Sequence, residues 1–163
     1  MSTIHQLMVA DYKKSGLTAA DVKALGFEPC EHKQGKQRVL AYRIHYSNFD
    51  GEPIDHYRLK LLGPCIDADG KPMKYWQEPG SPNQLYIPPL GDINWRATVD
   101  DPSIEIWIVE GEKKAAAMCK LGLPTVGLGG VDSFQNKDKS LVDGLAELAR
   151  GGRVINILFD SDA

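Results

Sequence analysis
Apolar residues recur along this chain with two periods, and the changes between them mark its elements. Ile4, Leu7, Met8 and Tyr12 fall near helical spacing ahead of Ser15-Gly16, which predicts a short N-terminal helix. Thr18 to Asp21 then offers an N-cap hydroxyl with an acid three residues on, before Val22, Leu25 and a terminating Gly26, and predicts a second. From Arg38 to Tyr46 the period becomes two: Leu40, Tyr42, Ile44 and Tyr46 take one face, Ala41, Arg43 and His45 the other. After a turn at Asp50-Gly51, Ile54 to Leu62 alternates again, with Tyr57, Leu59 and Leu61 opposite His56, Arg58 and Lys60, so the two runs predict a β-hairpin.

Ile66 to Pro72 superficially suggests a calcium loop but lacks the acid positions and flanking helices of one, and reads as a turn between strands. Met73 to Leu90 holds Tyr75, Trp76, Tyr86 and four prolines and reads as extended chain. Its aromatics either seal a small core or stack on a base. Gly91 to Pro102 is polar and turn-rich, which places a boundary near residue 100, with a mixed α+β subdomain before it and a second domain over 101–163.

Beyond that boundary the runs are compact and rich in β-branched residues. Residues 104–109 predict a strand, Lys113 to Leu121 a buried helix stopped by Gly122, residues 124–128 a second strand, Leu141 to Ala149 a helix, and residues 154–159 a third strand. Strand-helix-strand-helix-strand is the pattern of a parallel sheet with flanking helices. Gly127-Leu128-Gly129-Gly130 is neither a dinucleotide fingerprint, since Asp132 stands at the last glycine position, nor a P-loop; it reads as a turn passing close to a ligand. The first and third of these strands read as buried and stop at acids, one at Glu110-Gly111-Glu112 and the other at Asp160-Ser161-Asp162. Ligands of open α/β sheets bind beyond the carboxyl ends of parallel strands, so acids about fifty residues apart in sequence can converge there, and converging carboxylates suit a hard cation.

Composition narrows the reading. With 42% hydrophobic residues the chain can bury a core, and no apolar run approaches the ~20 residues that span a bilayer, so the expectation is a cytoplasmic protein with no membrane partner. Cys30, Cys65 and Cys119 show no Cys-x-x-Cys spacing, and a metal site from Cys30, His32 and Cys65 is a weaker reading than scattered reduced thiols. A net charge of -3 argues against a generally cationic nucleic-acid coat, so any such surface is local. Arg43, Arg58 and Lys60, with His45 and His56, gather on one side of the hairpin if its apolar faces coincide; they form either a phosphate-holding stripe or an ordinary solvated face.

The order strand-Glu-Gly, helix, strand-Asp-x-Asp resembles the TOPRIM domain of bacterial-type primases, topoisomerases and some nucleases. Residues 108–115, Ile-Val-Glu-Gly-Glu-Lys-Lys-Ala, with Lys74-Tyr75-Trp76 and Leu85-Tyr86-Ile87-Pro88 upstream, are similar to a TOPRIM-like family of phage and plasmid replication proteins related to primase-helicases. The resemblance runs from about Gly16 onward and departs from the primase pattern at Glu112, where a bulkier residue usually follows Glu-Gly, and in lacking the zinc ribbon that many primases carry.

The resemblance implies a TOPRIM-like α/β fold. It further implies that Asp160 and Asp162 ligate Mg²⁺ (or Mn²⁺), with Glu110 joining them or serving as general acid/base. Lys113 and Lys114, opening the helix after Glu110, then sit where they meet phosphates, unless they are plain solvent-facing lysines. Because relatives continue through a further helix and strand after Asp-x-Asp, the expectation is a TOPRIM domain cut short, with weak metal affinity and no turnover of its own. The expected activity is primase-like nucleotidyl transfer on single-stranded DNA with nucleotides, alongside a helicase domain or protein. The rivals are a TOPRIM nuclease and a non-catalytic nucleic-acid- or partner-binding module attached to a helicase.

Overall fold
A computed structural model of the chain describes residues 3–160. It is a mixed α/β structure with a four-stranded antiparallel sheet and a separate three-stranded parallel sheet. The chain falls into two compact units. The first runs to His45 and resumes from His56 to Ser81; the second takes Tyr46–Asp55 and the described chain from Pro82 on.

The first unit opens with α1 (Thr3–Lys13) and α2 (Ala19–Ala24). The predicted capping box closes as expected, with the Asp21 amide donating to Thr18 Oγ1 at 3.3 Å and the Thr18 amide to Asp21 Oδ2 at 2.7 Å. Strands β1 (Glu28–Gln34), β2 (Gln37–Ser47), β3 (Pro53–Leu61) and β4 (Tyr75–Gln77) pair in the order β1-β2-β3-β4. β1 escapes the sequence reading because it is polar and carries Pro29, which an edge strand tolerates. On one face Val39 and Ala41 pack with Leu59, Leu61 and Cys65, with Tyr57 and Trp76 beside them. On the other, Phe27 stacks on Tyr42 with ring centroids 5.4 Å apart, and the Tyr42 hydroxyl donates to Asp11 of α1 at 2.7 Å. Asp67 closes the turn at residues 67–71, its Oδ1 accepting from the Asp69 and Lys71 amides.

In the second unit β5 (Ile106–Glu110), β6 (Thr125–Leu128) and β7 (Ile155–Leu158) are parallel, in the order β6-β5-β7. Ile106, Ile108, Val126 and Leu128 point into a core with Trp95 and Leu148. The opposite face of β5 and β6 lies under α4 (Glu112–Lys120), and Gly127 is what admits the helix. A Cβ there would stand 3.1 Å from the Gly111 carbonyl oxygen and 3.3 Å from Ala115 Cβ. Gly127 is thus a strand residue that seats the helix, not part of a ligand-facing turn. Two further helices are short. Asn94 caps α3 (Trp95–Asp100) by accepting from the Ala97 amide at 3.1 Å, forming a helix where turn signals predict none, because Trp95, Thr98 and Val99 share a buried stripe. α5 (Leu145–Leu148) is shorter than the apolar spacing predicts.

The expectation of buried strands at 104–109 and 154–159 holds for β5 and not for β7. β7 is an outer strand paired with β5: Leu158, beside Val109, is 53% exposed because α4 packs on β5 and β6, and Ile157, which shares the face of Ile108, is 65% exposed on the other side. Among the described residues no helix is long and apolar enough to cross a membrane, and no group of three His, Cys, Asp or Glu side chains is placed to hold a metal. Cys30, His32 and Cys65 therefore form no such site. His32 Nε2 meets Gln34 Oε1 at 3.2 Å and its ring lies against Trp76.

Gly91 has φ +78°, and a Cβ there would come within 1.7 Å of the Cys119 carbonyl oxygen. Backbone cannot yield as a flexible side chain can, so Gly91→Ala should destabilise the protein by at least ~3 kcal/mol, read as a lowered urea midpoint. An unchanged midpoint would contradict this packing.

Candidate functional site
Both acidic strand ends leave the parallel sheet at the same edge. β5 is the central strand and ends on Glu110, which is half-buried. In the neighbouring strand Val109 pairs with Leu158, so Asp160 emerges two residues past the end of β7, close in register to Glu110. Asp162, the third expected ligand, lies outside the described residues.

Asp160 already has a cationic neighbour. Lys114 Nζ, in the first turn of α4, donates to Asp160 Oδ2 at 2.5 Å. The two side chains are 44% and 66% exposed, so solvent screens the pair and its contribution to stability is small. What the pair shows is chemical: the carboxylate at this strand end accepts a positive charge. Glu110 and Asp160 supply oxygen donors of the type a hard divalent cation takes, and they fit as part of such a site. Lys113 is half-buried beside Lys114 on the same turn.

The structure does not gather the hairpin cations on one side. Arg43 shares the face of Val39 and Ala41, and its Cζ lies 4.5 Å from the Tyr57 ring centroid. Arg58 and Lys60 alternate with Leu59 and Leu61, face the other way, and both sit over Tyr75, at 4.8 and 4.5 Å. The cause is register. The apolar residues of β3 share a face with Ala41 and Arg43 of β2, not with Leu40, Tyr42 and Ile44, so the two polar sets end on opposite faces.

Glu112 is the departure from the expected pattern, and it is fully buried. Gly111, with φ +92°, turns the chain from β5 into α4 and brings Glu112 inward as the first residue of the helix. Its Oε1 accepts from the Tyr46 hydroxyl at 2.8 Å. The Tyr46 ring meets Tyr86 edge-on, with centroids 5.1 Å apart, and Tyr86 exchanges backbone hydrogen bonds with Gly127, each 2.9 Å long. Burial, and after it the nearby Glu112, pushes the Tyr86 phenol well above its ordinary range, so it keeps its proton. The Tyr86 hydroxyl has no hydrogen-bond partner among the described residues. Burial also pushes the Cys119 thiol up to about 12, and it donates to the Thr125 carbonyl at 3.2 Å.

Sequence reasoning missed this buried polar group beside the strand end, although a signal for Glu112 was present. Residues 112, 115, 116 and 119 fall at i, i+3, i+4 and i+7, the stripe that α4 buries. No comparable local signal marks Tyr46, which is 66 residues away in the chain.

Removing the donor takes a hydrogen bond away from a buried carboxylate, so Tyr46→Phe should cost about 2 kcal/mol. A double-mutant cycle with Glu112→Gln should show a coupling of about 1 kcal/mol or more. Strict additivity in denaturant unfolding would mean the two side chains do not interact.

A family model described as a domain of unknown function (DUF3854) matches residues 94–163. No curated protein and no solved structure matches the chain.

Proposed function
We propose that the second unit is a TOPRIM-like module for Mg²⁺-dependent nucleotidyl or phosphoryl transfer on nucleic acid, of the primase-like kind used in phage and plasmid replication. The observation that carries the proposal is the shared edge: Glu110 ends the central strand, and Asp160 leaves the adjacent parallel strand at the same end. A parallel sheet presents its ligand sites at that edge.

In this reading Asp160 is an oxygen ligand, and Glu110 either joins it or takes the proton from an attacking hydroxyl. Mg²⁺, when bound, supplies the charge that opposes negative charge building on a transferring phosphoryl group. Lys113, with the amides and dipole of the first turn of α4, supports phosphate near Glu110. Gly111 and the buried Glu112 hold the turn that carries Glu110, so that its carboxylate is aimed without a flexible loop. Single-stranded DNA and nucleotides are the proposed substrates, with a helicase as the associated activity.

One observation favours the rival, a binding module without catalysis. The ammonium of Lys114 stands on Asp160, where a metal would otherwise be drawn. The two readings differ in what removal of that lysine does. If Asp160 is a metal ligand, Lys114→Met should tighten Mn²⁺ binding in calorimetric titration, while Asp160→Asn and Glu110→Gln should each weaken it by about tenfold. If all three variants bind Mn²⁺ as the parent chain does, the Lys114–Asp160 pair is structural and the non-catalytic reading stands.

A further inference from the structure
We infer that the β3–β4 edge of the first unit is a docking surface for single-stranded nucleic acid, built from Arg58, Lys60 and Tyr75. Lys60 lies directly across from Tyr75 in the β3–β4 register, and Arg58 is across from Gln77 on the same face. Both cations sit within 5 Å of the one tyrosine ring, the Arg58 Cζ at 4.8 Å and the Lys60 Nζ at 4.5 Å. The ring holds two side chains that would otherwise sample many rotamers, so part of the ordering cost of a phosphate contact is met before anything binds.

The surrounding charge agrees. Following β1–β2 and β3–β4 pairing across this face, the strands present Lys33, Arg38, Arg58 and Lys60 against one carboxylate, Glu31. Glu31 lies on the outer strand β1, 3.9 Å from Arg38. Helix α1 adds Asp11, which accepts the Tyr42 hydroxyl. The opposite face carries Glu28 and Asp55 with Arg43, so cations collect on one side of a sheet in a chain whose net charge is -3. Tyr42, at the centre of the cationic face, is fully buried, whereas Arg58, Lys60 and Tyr75 near the β4 edge remain half-exposed.

The kind of partner follows from the geometry. Interleaved cations and aromatic residues on a sheet face suit a flexible strand that lays phosphates on the cations and stacks a base on the guanidinium plane. A duplex is read by a helix or ribbon entering a groove, whereas the helix on this face, α1, is tied down to the sheet by the Asp11–Tyr42 hydrogen bond. The surface belongs to the first unit and needs no metal, so it stands or falls apart from the proposed chemistry of the second.

The test is fluorescence anisotropy of a labelled oligothymidylate titrated with the whole chain in EDTA, repeated across a salt series. The Arg58→Gln/Lys60→Gln variant should bind about tenfold more weakly at low salt, and its log-log salt slope should flatten by about 1.4 for two lost contacts. Tyr75→Phe should bind as the parent does, because the ring is kept, while Tyr75→Leu should bind several-fold more weakly. A charge-matched Lys71→Gln/Lys137→Gln variant, altered in exposed turns, should keep the parent's affinity and slope. Unfolding midpoints are measured alongside, and if the double variant is destabilised Lys60→Gln alone is read in its place. The proposal is overturned if the parent does not bind, if the Arg58/Lys60 variant keeps the parent's slope, or if a duplex of the same length binds equally well.

Discussion
The hydrogen bond from Tyr46 to the buried Glu112 is the constraint on which the second unit most depends. A carboxylate with no solvent exposure is costly unless its oxygens find donors, and Tyr46, 66 residues earlier in the chain, supplies one at 2.8 Å. The hydroxyl belongs to the hairpin tip, Tyr46–Asp55, which is why that tip is part of the parallel-sheet unit. Two more contacts pin it there. Phe49 lies against Trp95 with ring centroids 6.3 Å apart and packs against Gly144, where a Cβ would meet the ring at 3.1 Å. Arg96 grips both oxygens of Asp50, at 2.8 and 2.7 Å, and reaches Glu147 with its remaining nitrogen. The guanidinium holds the Asp50 carboxyl below its usual range, so this contact is present at neutral pH and is lost as pH falls through that lowered value.

This arrangement bears on function because Glu112 and Glu110 are separated by one glycine. The first acid is turned into the core and the second is left at the strand end, and Gly111 at φ +92° makes the division. The two carboxylates, one residue apart, have opposite fates: the buried one holds the turn, and the half-buried one stands at the edge where Asp160 also emerges. The Lys114 ammonium on Asp160 offsets the charge that two acids would otherwise concentrate at that edge.

Most of the element pattern was legible because it is written in local periodicity. The alternation in β2 and β3, the capping box of α2 and the compact runs that become β5, β6 and β7 each follow from a few neighbouring residues. Other features are set by partners distant in sequence. β1 is held by pairing with β2, not by its own composition, and α3 forms because Trp95 and Val99 have a core to enter. The basic stripe dissolved for the same reason: β2 is buried on both faces, and which of them meets the apolar face of β3 is decided by packing around Ala41, Leu59 and Leu61. At the strand ends the acids themselves were legible. The fates of Glu112 and Asp160 were not, since they depend on Tyr46 and on a lysine 46 residues upstream.

The central claim is that the acidic edge of the parallel sheet performs metal-dependent transfer chemistry, and incorporation of labelled nucleotides tests it most directly. The natural full-length protein, given a single-stranded template, nucleotides and Mg²⁺, should extend product in a reaction that EDTA stops, and Glu110→Gln should abolish that product while leaving template binding intact. Template binding without product by the unaltered protein, or equal product from the Glu110→Gln variant, would contradict the account.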